Sequence, residues 1–213
     1  MQKSYSEDDF SMVINDDFLW RIREISNFRL AVRECAEVNR VTLLRAGVPL
    51  LYAHWEGHVR FCASKYLEHI SFRRRPYRLL KESLYCIATR SLFEAAASSA
   101  LSFGRRLEIV EALERRRDET FDTFRSEDMQ TSNLHSAALT QICLMTQVRS
   151  SEFEEQFDFI DRILVGRRNT IAHGEEIYVS ETEFREISDR TIDIMRQYRD
   201  SVENNVILRA YEK

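Results

Sequence analysis

At 213 residues, 44% of them apolar, the chain is long enough to bury one sizeable core. Five glycines and two prolines are too few for a β-rich or loop-rich fold, and helix-forming residues dominate, so an all-α fold is expected. The 31 basic residues against 35 acidic ones leave a net charge of −4, which excludes a general nucleic-acid coat; any RNA contact must come from a local basic patch.

The basic residues are nearly all arginine, the lysines being Lys3, Lys65, Lys81 and Lys213. Arginine suits bidentate phosphate contacts, although surface ion pairs are its commoner use. Cys35, Cys62, Cys86 and Cys143 are far apart and sit among apolar neighbours, so buried free thiols are expected and a zinc site is not. The absence of a leader-like segment and of an apolar run long enough to span a bilayer points to a cytoplasmic, reduced protein. One domain over 1–213 is expected, with 1–15 as a flexible start.

In chain order, Asp16 or Asp17 can cap a first helix carrying Leu19, Ile22, Ile25, Leu30 and Val38, with a break near Asn39–Thr42. Residues 41–70 are the most apolar and read as the central helix of the core, kinked or restarted at Pro49. Within it, Trp55 reads as a core aromatic, Gly57 as a close helix crossing, and Glu56 as either a solvent-facing carboxylate or a partner for a basic side chain on a neighbouring helix. His54 and His58 have metal-ligand spacing, but no third ligand is apparent and no metal is expected. Arg73-Arg74-Arg75-Pro76 is a basic turn that, with Arg60, Lys65 and Arg78, makes the densest positive region: a solvated loop or an RNA-tracking rim.

A helix is expected from Tyr77, then small residues over Glu94–Ala100, then a charged helix over 105–125 whose interleaved acids and arginines favour a solvated face, with Phe121 and Phe124 tucking its end down. Ser126–Ser132 reads as a linker, and Thr131-Ser132-Asn133-Leu134 as the opening of a helix with His135 beside its cap. Ser151 and Glu154 form a capping-box pattern that would begin a helix over 151–173, and Ser180 and Glu183 another that opens the last helix, ending near Leu208.

The stretch that reads as chemistry is Arg167-Arg168-Asn169-Thr170-Ile171-Ala172-His173-Gly174-Glu175. It follows the apolar-periodic Phe157, Ile160 and Leu164 and ends at a glycine suited to a left-handed helix cap. On a 3.6-residue helix Asn169 and His173 share a face and Arg168 lies about 100° round, giving one polar corner at a helix end. Basic residues in a last turn also complement the helix dipole and bond free carbonyls, which is the structural alternative.

Arg168-Asn169-(three residues)-His173 resembles the Arg-polar-x-x-x-His motif of the HEPN superfamily (higher eukaryotes and prokaryotes nucleotide-binding domains). The Trp55-Glu56-Gly57 helix and the Ser132-Asn133-Leu134 lead-in resemble the RiboL-PSP-type branch of its nucleases. The resemblance implies a helical bundle with additional helices, often a homodimer with the motif helices facing each other. It also implies metal-independent RNA cleavage without a cofactor, in a toxin–antitoxin or anti-phage setting with a possible antitoxin or defence partner. Arg168 would hold the phosphate, His173 would transfer protons, and Asn169 would hold His173 or the substrate. Glu56 and Arg167 would be supporting residues, and Arg73, Arg74 and Arg75 weak RNA contacts. Some members carry a tyrosine two residues past the histidine; here Glu175 stands there and the nearest tyrosine is Tyr178, so a tyrosine-modifying antitoxin is not expected. Members that bind nucleotides or partners without cleaving leave a non-catalytic module as the alternative, and a plain helical interaction protein as a third reading.

Overall fold

The computed structural model describes residues 5–97, 102–122 and 133–213. Among these the fold is all-α with no strand, apart from two isolated bridges, Pro76 to Thr120 and Leu80 to Glu212. The helices are α1 (Glu7–Glu34), α2 (Glu37–Arg73), α3 (Glu82–Ala97), α4 (Phe103–Arg116), α5 (Ser136–Thr146), α6 (Arg167–Ala172) and α7 (Glu181–Ile207). A short 3₁₀ turn, Tyr77–Leu79, precedes α3; a 3₁₀ stretch, Ser150–Gln156, and a π-helical stretch, Phe159–Gly166, lead into α6. The small-residue stretch beyond Ala97, Phe124 and the Ser126–Ser132 linker fall wholly or partly outside the described residues.

α2 is the axis of the fold, as its composition implies. It packs against α1, α7, α6, α5 and the π stretch, while α1 and α7 also pack on each other. Its apolar residues face neighbours on almost every side: Val48, Leu51, Trp55, Val59, Cys62, Tyr66, Leu67 and Ile70 are all fully buried. Pro49 lies inside the helix, which continues through it instead of restarting. Gly47 permits the tightest crossing, since a Cβ there would meet the Phe184 ring at 2.4 Å and the Phe28 ring at 2.7 Å.

α1 begins earlier than expected. Ser6 accepts from the Asp9 amide, and the Asp9 carboxylate accepts from the Ser6 amide, each at 3.0 Å, which completes a capping box. Phe10 and Ile14 are fully buried, so from Ser6 onward the stretch expected to fray is a capped helix whose inward face joins the core. The earlier start sets a different stripe: Phe10, Ile14, Phe18, Ile25 and Val32 face inward, whereas Leu19 and Leu30 face out. The break falls at Cys35–Ala36, and Val38 on α2 is exposed. The thiols divide as well: Cys62 and Cys143 are buried, burial pushing the Cys143 thiol up to about 12, but Cys35 is half-buried and Cys86 exposed.

The helix expected over 151–173 is three pieces, and its capping box does not form. Glu152 pairs with Arg149 instead, and α7 reaches across to it through Gln197 and Ser201. These long-range bonds, with Phe153 fully buried, hold the tighter 3₁₀ turn against the local helical preference. The π stretch ends at Gly166, where a Cβ would stand 3.2 Å from the Asp161 carbonyl oxygen. The charged helix is shorter than expected, ending at Arg116, and is tied to α3 by Tyr85 to the Leu113 carbonyl and Arg116 to the Ala88 carbonyl. Phe121 is fully buried, as expected.

The α1–α2 interface contains an ionic cluster. Arg21 donates to Asp17 through Nε at 2.8 Å and Nη2 at 3.0 Å, and His58 Nδ1 donates to Asp17 at 2.6 Å. A Cβ on Gly57 would lie 2.7 Å from Arg21 Nη1, so this glycine makes room for a guanidinium. Burial alone would raise the Asp17 carboxyl, but the bonds from His58 and Arg21 outweigh it and hold the group below the usual carboxylate range. Burial lowers His54, His58 and His69, the last to about 4, with Arg73 and Arg209 adding to the effect.

Asp17→Ala should cost about 3–5 kcal/mol, because it leaves a guanidinium buried without its anion; the melting temperature should drop by roughly 10 °C, and a drop of only a degree or two would contradict this account. The three depressed histidines set a pH dependence. Below about 6.5 the unfolded chain takes up protons that the folded chain resists, so stability falls as pH falls toward 4. A thermal-melt series across that window should show a steady decline, and Asp17 steepens it under more acidic conditions.

Candidate active site

α6 ends as its glycine predicts. His173 is the cap residue, Gly174 has φ +81°, the Gly174 amide donates to the Ile171 carbonyl at 3.1 Å, and the Glu175 amide to Thr170 at 3.1 Å. This paired arrangement satisfies the last carbonyls and stops the helix at the histidine. His173 is exposed, and its ring has no hydrogen-bond partner among the described residues.

Arg167 and Arg168 are adjacent but differently placed. Arg167 is half-buried and bonded to Glu183 on the first turn of α7, and that bond holds the Glu183 carboxyl below its ordinary range. Its charge is therefore matched. Arg168 has no carboxylate partner among the described residues. Its Nη1 donates to Asn169 Oδ1 at 2.8 Å and to Asn133 Oδ1 at 3.2 Å, and its guanidinium lies over the Tyr52 ring, 4.9 Å from the centroid. Neutral amides and an aromatic face fix the group while leaving its charge uncompensated.

The supports of Arg168 are themselves fixed. The Tyr52 hydroxyl accepts from the Leu134 amide at 2.9 Å, and Trp55 Nε1 donates to the Leu134 carbonyl at 3.4 Å. Asp161, in the π stretch, accepts from the Ser136 amide and hydroxyl, both at 2.6 Å, and so caps the start of α5. His135 is the N-cap residue itself, its Nδ1 accepting from the Ala138 amide at 3.2 Å. The segment 133–136 is thus fastened at both ends and presents Asn133 to Arg168. Burial raises the Tyr52 hydroxyl above its ordinary pKa. The Leu134 amide partly offsets this, Glu56 pushes further up, and Arg168 pulls down, so the phenol stays neutral at physiological pH.

Glu56 touches neither Arg168 nor His173. Its carboxylate accepts from Arg60 at 2.7 Å and reaches the corner only through its neighbour Tyr52. Asn169 turns its side-chain oxygen to Arg168 and not to His173. The basic turn is elsewhere: Arg74 follows Glu56 by five turns of α2, about 27 Å. There Arg73 pairs with Glu7 at 3.7 Å and bonds His69, Arg75 pairs with Glu212 at 3.5 Å, and Arg74 is exposed. His54 lies 3.3 Å from Glu24, His58 on Asp17. Asn133 and Tyr52 were not picked out as parts of the corner by sequence reasoning. For Asn133 the Ser-Asn-Leu lead-in was the available signal; Tyr52 is one aromatic among many on its helix.

A family model, HEPN_MAE_28990-like HEPN, matches residues 10–211. The chain belongs to this HEPN family. No curated protein and no solved structure matches it. The superfamily expected from the Arg168–His173 spacing is therefore the one found, and it places this HEPN domain among helical modules with nuclease or nucleotide-binding roles. No helix among the described residues is long and apolar enough to cross a membrane.

Gly174→Ala forces a Cβ into the left-handed region, so it should cost about 1–2 kcal/mol. Gly174→Asn should recover part of the loss, since asparagine tolerates that region better. Melting curves of the two variants beside the parent check the pair, and equal stability of all three would contradict the cap.

Proposed function

We propose that this HEPN domain is a metal-independent endoribonuclease whose reacting groups are Arg168 and His173. The observation that carries the reading is the contrast between the two arginines. Arg167 is neutralised by Glu183, whereas Arg168 is rigidly held by Asn133, Asn169 and Tyr52 with its positive charge uncompensated, five residues along the chain from an exposed imidazole. A fixed, uncompensated guanidinium suits a phosphodiester and the charge that develops on it.

In this mechanism the RNA 2′-hydroxyl attacks the adjacent phosphorus, so the protein supplies no nucleophile. The 2′-hydroxyl gives up its proton as the P–O2′ bond forms. The P–O5′ bond breaks, and the departing 5′-oxygen takes a proton. The products are a 2′,3′-cyclic phosphate and a 5′-hydroxyl. His173 serves proton transfer, and Arg168 binds the non-bridging oxygens. A homodimer bringing two motif ends together would supply the second imidazole needed for both transfers, and it would give the exposed His173 the neighbours it lacks in one chain. The setting, a toxin or anti-phage effector with an antitoxin or defence partner, rests on the family resemblance alone.

The exposed and unbonded state of His173 favours one other reading, a HEPN module that binds a nucleotide phosphate on Arg168 without turnover, since a general base is normally oriented by a second group. Cleavage of single-stranded and structured RNA in EDTA separates the two. Wild type should cut, while His173→Ala and Arg168→Ala should each lose about 100-fold or more with unchanged melting temperature. RNA binding with no cutting by clean wild type would favour the binding module.

A further inference from the structure

The acidic balance of the chain and the remoteness of the Arg73–Arg75 turn leave open where an RNA strand would run once its phosphate sits on Arg168. α1 and α7 enclose a cleft of about 550 Å³, lined among others by Arg29, Leu30, Arg33, Glu181 and Arg185. That size admits a nucleotide-sized group. Arg29 and Arg33 are one turn apart on the same face of α1, and Arg185 approaches from α7. Like charges at this spacing weaken a helix, so the arrangement is not explained by helix stability.

In the cleft one of the three arginines is ion-paired, whereas at the basic turn two of three are, Arg73 with Glu7 and Arg75 with Glu212. Arg29 meets Asp189 at 2.6 Å, and Glu181 leans toward Arg40, 3.9 Å away. Neither Arg33 nor Arg185 has a carboxylate partner among the described residues, although Glu181 stands one turn before Arg185 on α7. Three guanidinium groups thus face two carboxylates in a chain of net charge −4. Leu30, 41% exposed, adds an apolar edge against which a base can lie.

The cleft and the corner share the first turns of α7. Glu181 and Arg185 occupy the face of α7 opposite Glu183, and Glu183 holds Arg167, the neighbour of Arg168. We infer that the α1–α7 cleft is the track for the RNA strand flanking the scissile phosphate, its phosphates held by Arg29, Arg33 and Arg185. This rests on the ribonuclease reading above. Contacts of this kind position the strand without reading its sequence.

The test uses the full chain carrying His173→Ala, so that RNA is bound and not cut, and a labelled single-stranded RNA of about a dozen nucleotides followed by fluorescence anisotropy across a salt series. Adding Arg33→Gln and Arg185→Gln should weaken binding about 10-fold or more at low salt and flatten the plot of log affinity against log salt by about 0.7 per lost contact. Arg106→Gln with Arg115→Gln, an equal change in net charge on α4, should do much less. Adenosine 5′-monophosphate in excess should compete weakly, since a track needs several phosphates at once. Equal losses from both pairs, no loss from the cleft pair, no RNA binding by the parent, or full displacement by the mononucleotide would each overturn the inference. His173-dependent cleavage with binding indifferent to the cleft pair removes the track and keeps the nuclease. Cleft-dependent binding with no cleavage by wild type removes the nuclease and keeps the track.

Discussion

A polar group that leaves water must find a bond inside the protein, and α2, the most buried helix, carries several such groups. This constraint reaches further than the apolar packing around it. Tyr52 and Trp55 place their polar atoms on the Leu134 amide and carbonyl, which pins the lead-in to α5 against α2. His58 places its ring on Asp17, which pins α1 through Arg21. Apolar contact alone would let these helices slide or rotate, whereas a buried donor has few acceptors within reach. Two of these anchors reach the lead-in to α5 and one reaches α1, so the helix orients the corner and the α1 interface at the same time.

The corner depends on this fastening. Arg168 is exposed enough to meet a ligand, yet an arginine on a short terminal helix has many rotamers open to it. Asn133 narrows them only because Tyr52, Trp55 and Asp161 have already fixed the segment it belongs to. The absence of a carboxylate at this one guanidinium matters as much as the presence of the amides. Most arginines of the described chain lie against acids, including the adjacent Arg167, and an ion-paired arginine must exchange one anion for another before it can bind phosphate.

The π stretch before α6 has a similar consequence. Its wider turn, ending at Gly166, changes the rotational phase with which α6 leaves the core, and it brings the Asp161 carboxylate to the start of α5. A continuous α-helix from Ser151 would have presented Arg168 and Asn169 at a different angle to α2. The long-range bonds to Glu152 and the burial of Phe153 make the irregular path stable, although short-range propensity favours a plain helix.

Much of this could be read before the fold was known. Low glycine and proline content determined the helical class. The run from Val41 to Ile70 marked the central helix, because nothing so apolar can stay in water. Gly174 marked the end of α6, because few other residues accept its backbone angle. The spacing of Arg168 and His173 carried the family. What the sequence could not show depended on contacts between distant residues. The inward face of α1 includes Asp17 and Arg21, and a charged pair announces itself as buried only when His58 is seen against it. The partners of Arg168, Asn133 and Tyr52, lie 35 and 116 positions away along the chain. Which of two neighbouring arginines keeps a free charge was decided by the first turn of α7 delivering Glu183 to one of them, and only tertiary packing determines that.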